Sequence, residues 1–334
     1  MNHYETFRTL IAPLKTDKEV SYDDKIMLLG SCFTDNIGSK LKAHLFNVCA
    51  NPLGILYNPS SIASALKRVI NLEWLDQDEI QWMGNSFGSF EFHSVFNRSS
   101  KEDTLKEING AIQMAHDYLL TSQHLFITLG TSYIYERKET GKVVGNCHKQ
   151  PEKEFKRFRL SPNEIIMEWA DLLKSLWKVN PDIQVTFTVS PIRHMRDGAV
   201  ENQLSKSTLL LAVDRLIHGF SKQNIDYYPS YEIMMDDLRD YRFYKADMVH
   251  PSDVAIDYIW EHMKKSFMNN KTVTLMKDIN KLVKSANHRP SNPDSQAHQQ
   301  FINKQLCKIN DIKNNHPAIV LDDLIHQFRQ ILHE

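Results

Sequence analysis

Three short apolar runs, each closing on small polar residues, constrain this chain more than any other feature. The first is IMLLG (26–30), followed by Ser31 and Cys32. The second is HLFITLG (124–130), followed by Thr131 and Ser132, and the third is DIQVTFTV (182–189), followed by Ser190 and Pro191. Runs this short and this apolar read as strands buried on both faces, which is the pattern of a parallel sheet. Helical stretches separate them. Thr34 to Leu45 carries Ile37, Leu41 and Leu45 at helical spacing, with Asp35 suited to the first turn. Lys101–Leu120, Pro162–Lys178, Asn202–Gln223 and Asp253–Phe267 read as further helices, and IDYYPSYEIMM (225–235) as a fourth strand-like run. Strands alternating with helices predict an α/β fold, a doubly wound three-layer α/β/α parallel sheet. Ligands of such sheets sit at the carboxyl ends of the strands, so the three sets of small polar residues predict one shared rim.

The remaining segments are less regular. NPLGILYNPSS (51–61) reads as a loop in which Ser60 or Ser61 caps a helix running to Ile70. Residues 74–98 read as a small antiparallel or loop excursion, and residues 137–160 as a long polar insertion containing NCHK. The main domain is placed at residues 1–270. Residues 271–334 are expected to form a helical C-terminal extension packed on it, broken by a polar stretch at 284–300.

Among the 334 residues, 42% are hydrophobic and 24% charged, which suits a chain that buries a large core. A formal net charge of -1 gives no general attraction to nucleic acid or an anionic membrane. No 18-residue apolar stretch predicts a membrane span. The first twenty residues lack the pattern of a signal peptide and read as mature sequence. Cys32, Cys49, Cys147 and Cys307 form no CxxC, so reduced thiols in a cytoplasm are expected.

The chemistry concentrates where the first strand turns into a helix. A residue at such an elbow projects above the sheet, and the helix N-terminus favours negative charge beside it. A nucleophile there needs a base, and the base an orienting partner. ADMVHPSD (246–253) supplies both: Asp247 and His250 are three apart on a loop before a helix, so the carboxylate can fold back on the ring. A cysteine after an apolar strand, or a histidine before proline, is more often structural when found alone; their combination in one α/β region is the stronger signal.

Gly30-Ser31-Cys32-Phe33 and this Asp-x-x-His resemble the GSCFA family of the SGNH (GDSL-type) hydrolase superfamily, with Thr34 where the family name has Ala. LGTSYIYE, NCHK, SPIRH, YYPSYEIMMDDLRDYRFY and DMVHPS extend the likeness over roughly residues 25–265. The resemblance implies an SGNH-like fold with the nucleophile on Cys32, or on Ser31 if the register slips by one, and with Asp247 and His250 as its partners. It implies oxyanion contacts from Gly54 and, where the superfamily has Gly-x-Asn-Asp, from Thr131 or Ser132 in Gly130-Thr131-Ser132-Tyr133, which lacks the Asn. Arg193 has the planar fork to hold a substrate carboxylate or phosphate or to form a structural ion pair. Cys147 and His148 either reach over the site to contact substrate or lie on an exposed loop. The spacing of these residues matches no zinc pattern, so neither a metal nor an organic cofactor is expected.

The expected activity is hydrolysis or transfer of an acyl group from an ester or thioester through a covalent acyl-enzyme. The substrate would be a small acyl ester, thioester or acylated carbohydrate, with no nucleic-acid or membrane partner. A binding protein that keeps the fold with little or no turnover is the rival, favoured by the missing Asn and by cysteine in place of serine.

Overall fold

The computed structural model describes residues 8–288 and 295–333. The chain runs through β1 (Lys25–Gly30), α1 (Cys32–Ala43), β2 (Asn47–Ala50), α2 (Pro59–Asn71), β3 (Gln81–Trp82), β4 (Phe87–Gly88) and α3 (Lys101–Leu120). Then come β5 (His124–Leu129), β6 (Tyr133–Arg137), β7 (Val143–Val144), β8 (Phe155–Arg159), α4 (Pro162–Val179), β9 (Gln184–Val189) and α5 (Gly198–Gly219). It ends with β10 (Ile225–Tyr228), the short α6 (Ser230–Glu232), α7 (Asp253–Phe267), α8 (Asn270–Ala286), α9 (Gln296–Asn315) and α10 (Asp322–His333).

Five strands form one sheet in the order β10-β9-β5-β1-β2, and every neighbouring pair is parallel. Counted within the sheet alone this is the order 2-1-3-4-5, which reverses its winding between β1 and β5. β5 and β9 are buried throughout, and β1 is buried beyond Lys25, yet their side chains still sort by face. Met27, Leu29, Leu125, Ile127, Leu129, Val185 and Phe187 join a core with α2, α3, α4 and α5. Ile26, Leu28 and Phe126 join a second core with α1, α7 and the C-terminal helices. The period of two that divides one continuous apolar run between two cores is what makes the molecule three-layered.

Local chemistry sets the ends of the helices. Ser100 accepts from the Asp103 N–H to start α3, and Ser161 with Glu164 forms a capping box before Pro162 at the start of α4. The cap of α2 is Asn58, whose side chain accepts from the Ser61 N–H, and not Ser60 or Ser61; Pro59 takes the first helical position. The polar insertion is more ordered than its composition predicts: β6 pairs antiparallel with both β7 and β8, giving a three-stranded sheet. The fourth strand-like run is strand only over Ile225–Tyr228, because Pro229 ends it and a π-helical turn follows at Ile233–Asp237. Residues 289–294, in the polar break, lie outside the described residues. No described helix is long and apolar enough to cross a membrane.

Candidate functional site

The site begins at Gly30. Its φ of +137° belongs to the region glycine favours, and a Cβ placed there would stand 2.2 Å from the Thr128 carbonyl oxygen on the neighbouring β5. The chain then enters α1 at once. Ser31 takes the extended backbone of an N-cap, but its hydroxyl makes no capping bond and is buried without a partner. The Thr34 N–H donates to the Ser31 carbonyl at 2.8 Å, while the N–H groups of Cys32 and Phe33 lie close enough to the Cys32 sulfur to favour its thiolate. Burial, followed by the nearby Asp35, outweighs them and pushes the thiol up. Cys32 thus rests as a thiol and needs a base.

Asn51, at φ +45°, braces the elbow from behind. Its Oδ1 accepts from the Gly30 N–H at 2.8 Å and its Nδ2 donates to Asp35 at 2.7 Å.

Above the elbow lies a cavity of about 470 Å³ at the switch point of the sheet. Ser31, Cys32, Gly130, Thr131 and Ser190, from the ends of β1, β5 and β9, line its floor. The β6–β8 sheet supplies one wall. The Arg157 guanidinium lies 4.1 Å from the centroid of the Tyr133 ring and binds Asp197 through two bonds of 2.6 Å. Arg196 donates to the Tyr135 hydroxyl and pairs with Glu152 at 3.0 Å.

His250 approaches from the loop before α7. Asp247 Oδ1 accepts from the N–H groups of Val249 and His250, both at 2.9 Å, and Oδ2 meets the His250 Nδ1 at 2.6 Å. Met248 adopts φ +56° to make this fold-back possible. The His250 and Val249 N–H groups and then the His250 ring hold the Asp247 carboxyl well below the usual carboxylate range. With Nδ1 engaged by a carboxylate, Nε2 is left to accept a proton. The ring stands edge-on to His194, 5.9 Å between centroids, and His194 itself lines the cavity beside Tyr57. No hydrogen bond joins Cys32 to His250 among the described residues.

The other residues read from sequence fall as follows. Gly54 lies in a turn where its N–H donates to the Asn51 carbonyl. The Thr131 N–H donates to the Tyr57 carbonyl, and the Ser132 N–H to the Ser205 hydroxyl of α5, with Ser132 fully buried. These three N–H groups are therefore engaged within the protein. Arg193 is not among the residues lining the cavity; it donates to Asn202, which is, and to the Ala199 carbonyl. The arginines at the cavity are Arg157 and Arg196. Cys147 lines the cavity, with its thiol pushed up by burial. Its neighbour His148 is buried and bonded to the Ser89 carbonyl and Asn97, so it braces the loop from outside the cavity. Among the described residues no cluster of three His, Cys, Asp or Glu side chains could hold a metal ion.

Asn51, His194, Lys206, Arg157 and Asp197 carry no signal in the sequence alone. Each matters through a partner distant in the chain. The one hint was the SPIRH run, which ends on His194 just past the third strand.

The chain is similar, at low scores, to several solved structures. A carbohydrate esterase family 3 protein from Talaromyces cellulolyticus is 10% identical over 76% of this chain and 99% of that one, with a TM-score of 0.35. An acetyl xylan esterase from the rumen bacterium Butyrivibrio proteoclasticus is 11% identical over 74% of this chain and 65% of that one, with a TM-score of 0.36. A family 3 carbohydrate esterase of Clostridium thermocellum reaches 0.32 at 10% identity, over 77% and 98%. At such scores the likeness carries no argument. No curated protein matches the chain. The sequence itself matches the GSCFA family over residues 25–263 and the C-terminal domain of GSCFA domain proteins over residues 279–334. The match covers the strand ends, the elbow and the Asp247–His250 loop, and the chain belongs to the GSCFA family.

Proposed function

We propose that this protein transfers acyl groups from small esters or thioesters, to water or to another acceptor, through a covalent intermediate on Cys32, in the manner of the SGNH hydrolase superfamily. The Cys32 sulfur attacks the acyl carbon, and its proton passes to Nε2 of His250. The leaving alcohol or thiol takes that proton as the carbon–oxygen or carbon–sulfur bond breaks. Water or an acceptor hydroxyl or amine then attacks the thioester, giving its proton to His250 and releasing Cys32. Asp247 fixes the tautomer of His250 and stabilises the imidazolium. The open N–H groups of Cys32 and Phe33 are aimed where the oxyanion forms.

The observation that carries this reading is the Asp247–His250 pair. Three hydrogen bonds converge on one carboxylate in a strained loop, a geometry that leaves one nitrogen free on a ring standing against His194 of the cavity that Cys32 also lines. Contacts between nucleophile and base often tighten only when substrate is bound. The test is release of p-nitrophenol from p-nitrophenyl acetate by the wild type, Cys32→Ala and Ser31→Ala. Loss in Cys32→Ala with retention in Ser31→Ala supports the reading; the opposite pattern makes the protein a serine esterase and overturns it.

A second reading is a binding protein with little turnover. It is favoured by the engaged N–H groups of Gly54, Thr131 and Ser132, which leave the oxyanion to α1 alone. It predicts saturable ligand binding with no ester turnover in any of the three proteins.

A further inference from the structure

Lys206 on α5 is 1% exposed, and a lysine so buried is exceptional unless something needs its charge. Its Nζ donates to the carbonyl oxygens of Gly130 at 2.8 Å and Ser190 at 2.7 Å, and stands 5.6 Å from the centroid of the Tyr231 ring. Gly130 and Ser190 follow β5 and β9, and both line the cavity floor together with Cys32. Among the described residues no carboxylate pairs with this ammonium. Two carbonyl dipoles and an aromatic face hold it, whereas both arginines lining the cavity are paired with carboxylates: Arg157 with Asp197, and Arg196 with Glu152.

We infer that Lys206 is a positioning residue that ties the ends of β5 and β9 together beneath the cavity and supplies the positive charge answering the anion formed at Cys32. The inference deepens the acyl-transfer reading and rests on it for the nature of that anion, first the thiolate and then the tetrahedral oxyanion. The electrostatics agree. Burial and the neighbouring Arg193 push the Lys206 ammonium down to about 7, while Cys32 opposes the fall. In return Lys206 favours the Cys32 thiolate, against the burial and the Asp35 charge that disfavour it. The other titratable groups facing the pair are Tyr57, which senses Cys32, and His194, which senses Lys206. The buried cation makes the thiolate easier to form without an exposed charge that solvent would screen.

The test is the pH dependence of Cys32 alkylation by iodoacetamide, read by peptide mass so that Cys49, Cys147 and Cys307 are counted apart. Wild type, Lys206→Met and Lys206→Arg are compared. Lys206→Met is expected to move the Cys32 profile up by roughly one unit, which is about tenfold slower alkylation near neutral pH, while Lys206→Arg keeps it closer to the wild type. A folded Lys206→Met protein whose profile superimposes on the wild type overturns the inference. A merely structural lysine would lower the melting temperature without moving the profile.

Should Lys206→Met fail to fold, the reciprocal measurement needs no change at Lys206. The Lys206 ammonium is titrated by carbon NMR of lysine-labelled wild type and Cys32→Asp protein, in which a carboxylate stands as a fixed anion where the thiolate would form. By linkage that anion must raise the Lys206 titration; an unchanged midpoint overturns the inference. Neither measurement uses an ester. Coupled titrations in a protein that forms no acyl-enzyme would support the role of Lys206 and count against the acyl-transfer reading alone.

Discussion

Asp247 shows how far a few bonds at one residue can go. It is 49% exposed, yet three hydrogen bonds from its own loop hold its carboxyl well below the usual carboxylate range. Its value to the site lies in holding the His250 tautomer, since an exposed pair adds little to stability. Asp247→Asn is therefore expected to leave the melting temperature nearly unchanged while lowering the acyl-transfer rate about 10²-fold or more. Stopped-flow acylation beside thermal unfolding checks both halves. This pair was legible in the sequence because its geometry is local: a spacing of three on a turn brings a carboxylate onto an imidazole. Cys32 was legible for the same reason, as the residue after a strand-ending Gly-Ser. Lys206 and His194 were not. Lys206 sits in the middle of a long helix whose sequence gives no sign that one residue meets the ends of two strands, and His194 gains meaning only from the fold that sets it against His250.

At the scale of elements, the elbow is the least forgiving feature. Gly30→Ala would drive a methyl against the Thr128 carbonyl and force a φ of +137° on alanine. It is expected to cost about 2–4 kcal/mol of stability and to displace Cys32, which chemical denaturation and Cys32 alkylation rates would show together. Elements with strong end signals were legible: Lys101–Leu120 and Asp253–Phe267 are the helices the pattern predicts. α1 starts two residues earlier than its apolar spacing suggests, at Cys32, because Ser31 takes the N-cap position without using its side chain. β2 was missed. It is four residues long at the edge of the sheet and only Cys49 in it is buried, so it lacks the apolar run that marks β1 and β5. The β6–β8 sheet was hidden by its charge. Its arginines are held by Tyr133, Asp197 and Glu201 and so read as solvent-facing until those partners are known.

Across the whole molecule, the C-terminal helices belong to the second core. Met276, Ile279, Ile302, Ile309, Leu324 and Phe328 pack in one cluster with Ile26, Phe33, Ile37 and Trp260. Removing residues 271–334 strips that layer from α1, the helix that carries Cys32. The truncated chain is expected to bind a hydrophobic dye and to aggregate; a monomeric, cooperatively unfolding product would contradict a shared core. The three layers also bury histidines in neutral form. Burial holds His148 and His262 below the ordinary value of 6.5, and the half-buried His44 likewise. The unfolded chain binds protons at these sites more readily, so their contribution is complete above pH 6.5 and is lost as the pH falls through the lower folded values. The denaturation midpoint is expected to drop as the pH is lowered from neutrality into the mildly acidic range.

The central claim is that Cys32 carries the acyl group. The most direct measurement is intact and peptide mass after acid quench of the protein mixed with p-nitrophenyl acetate, for wild type, Cys32→Ala and His250→Ala. The result predicted is one acetyl group on Cys32 in the wild type, absent in Cys32→Ala and strongly reduced in His250→Ala. An acetyl group on Ser31, or a Cys32 adduct that forms equally fast without His250, would contradict it.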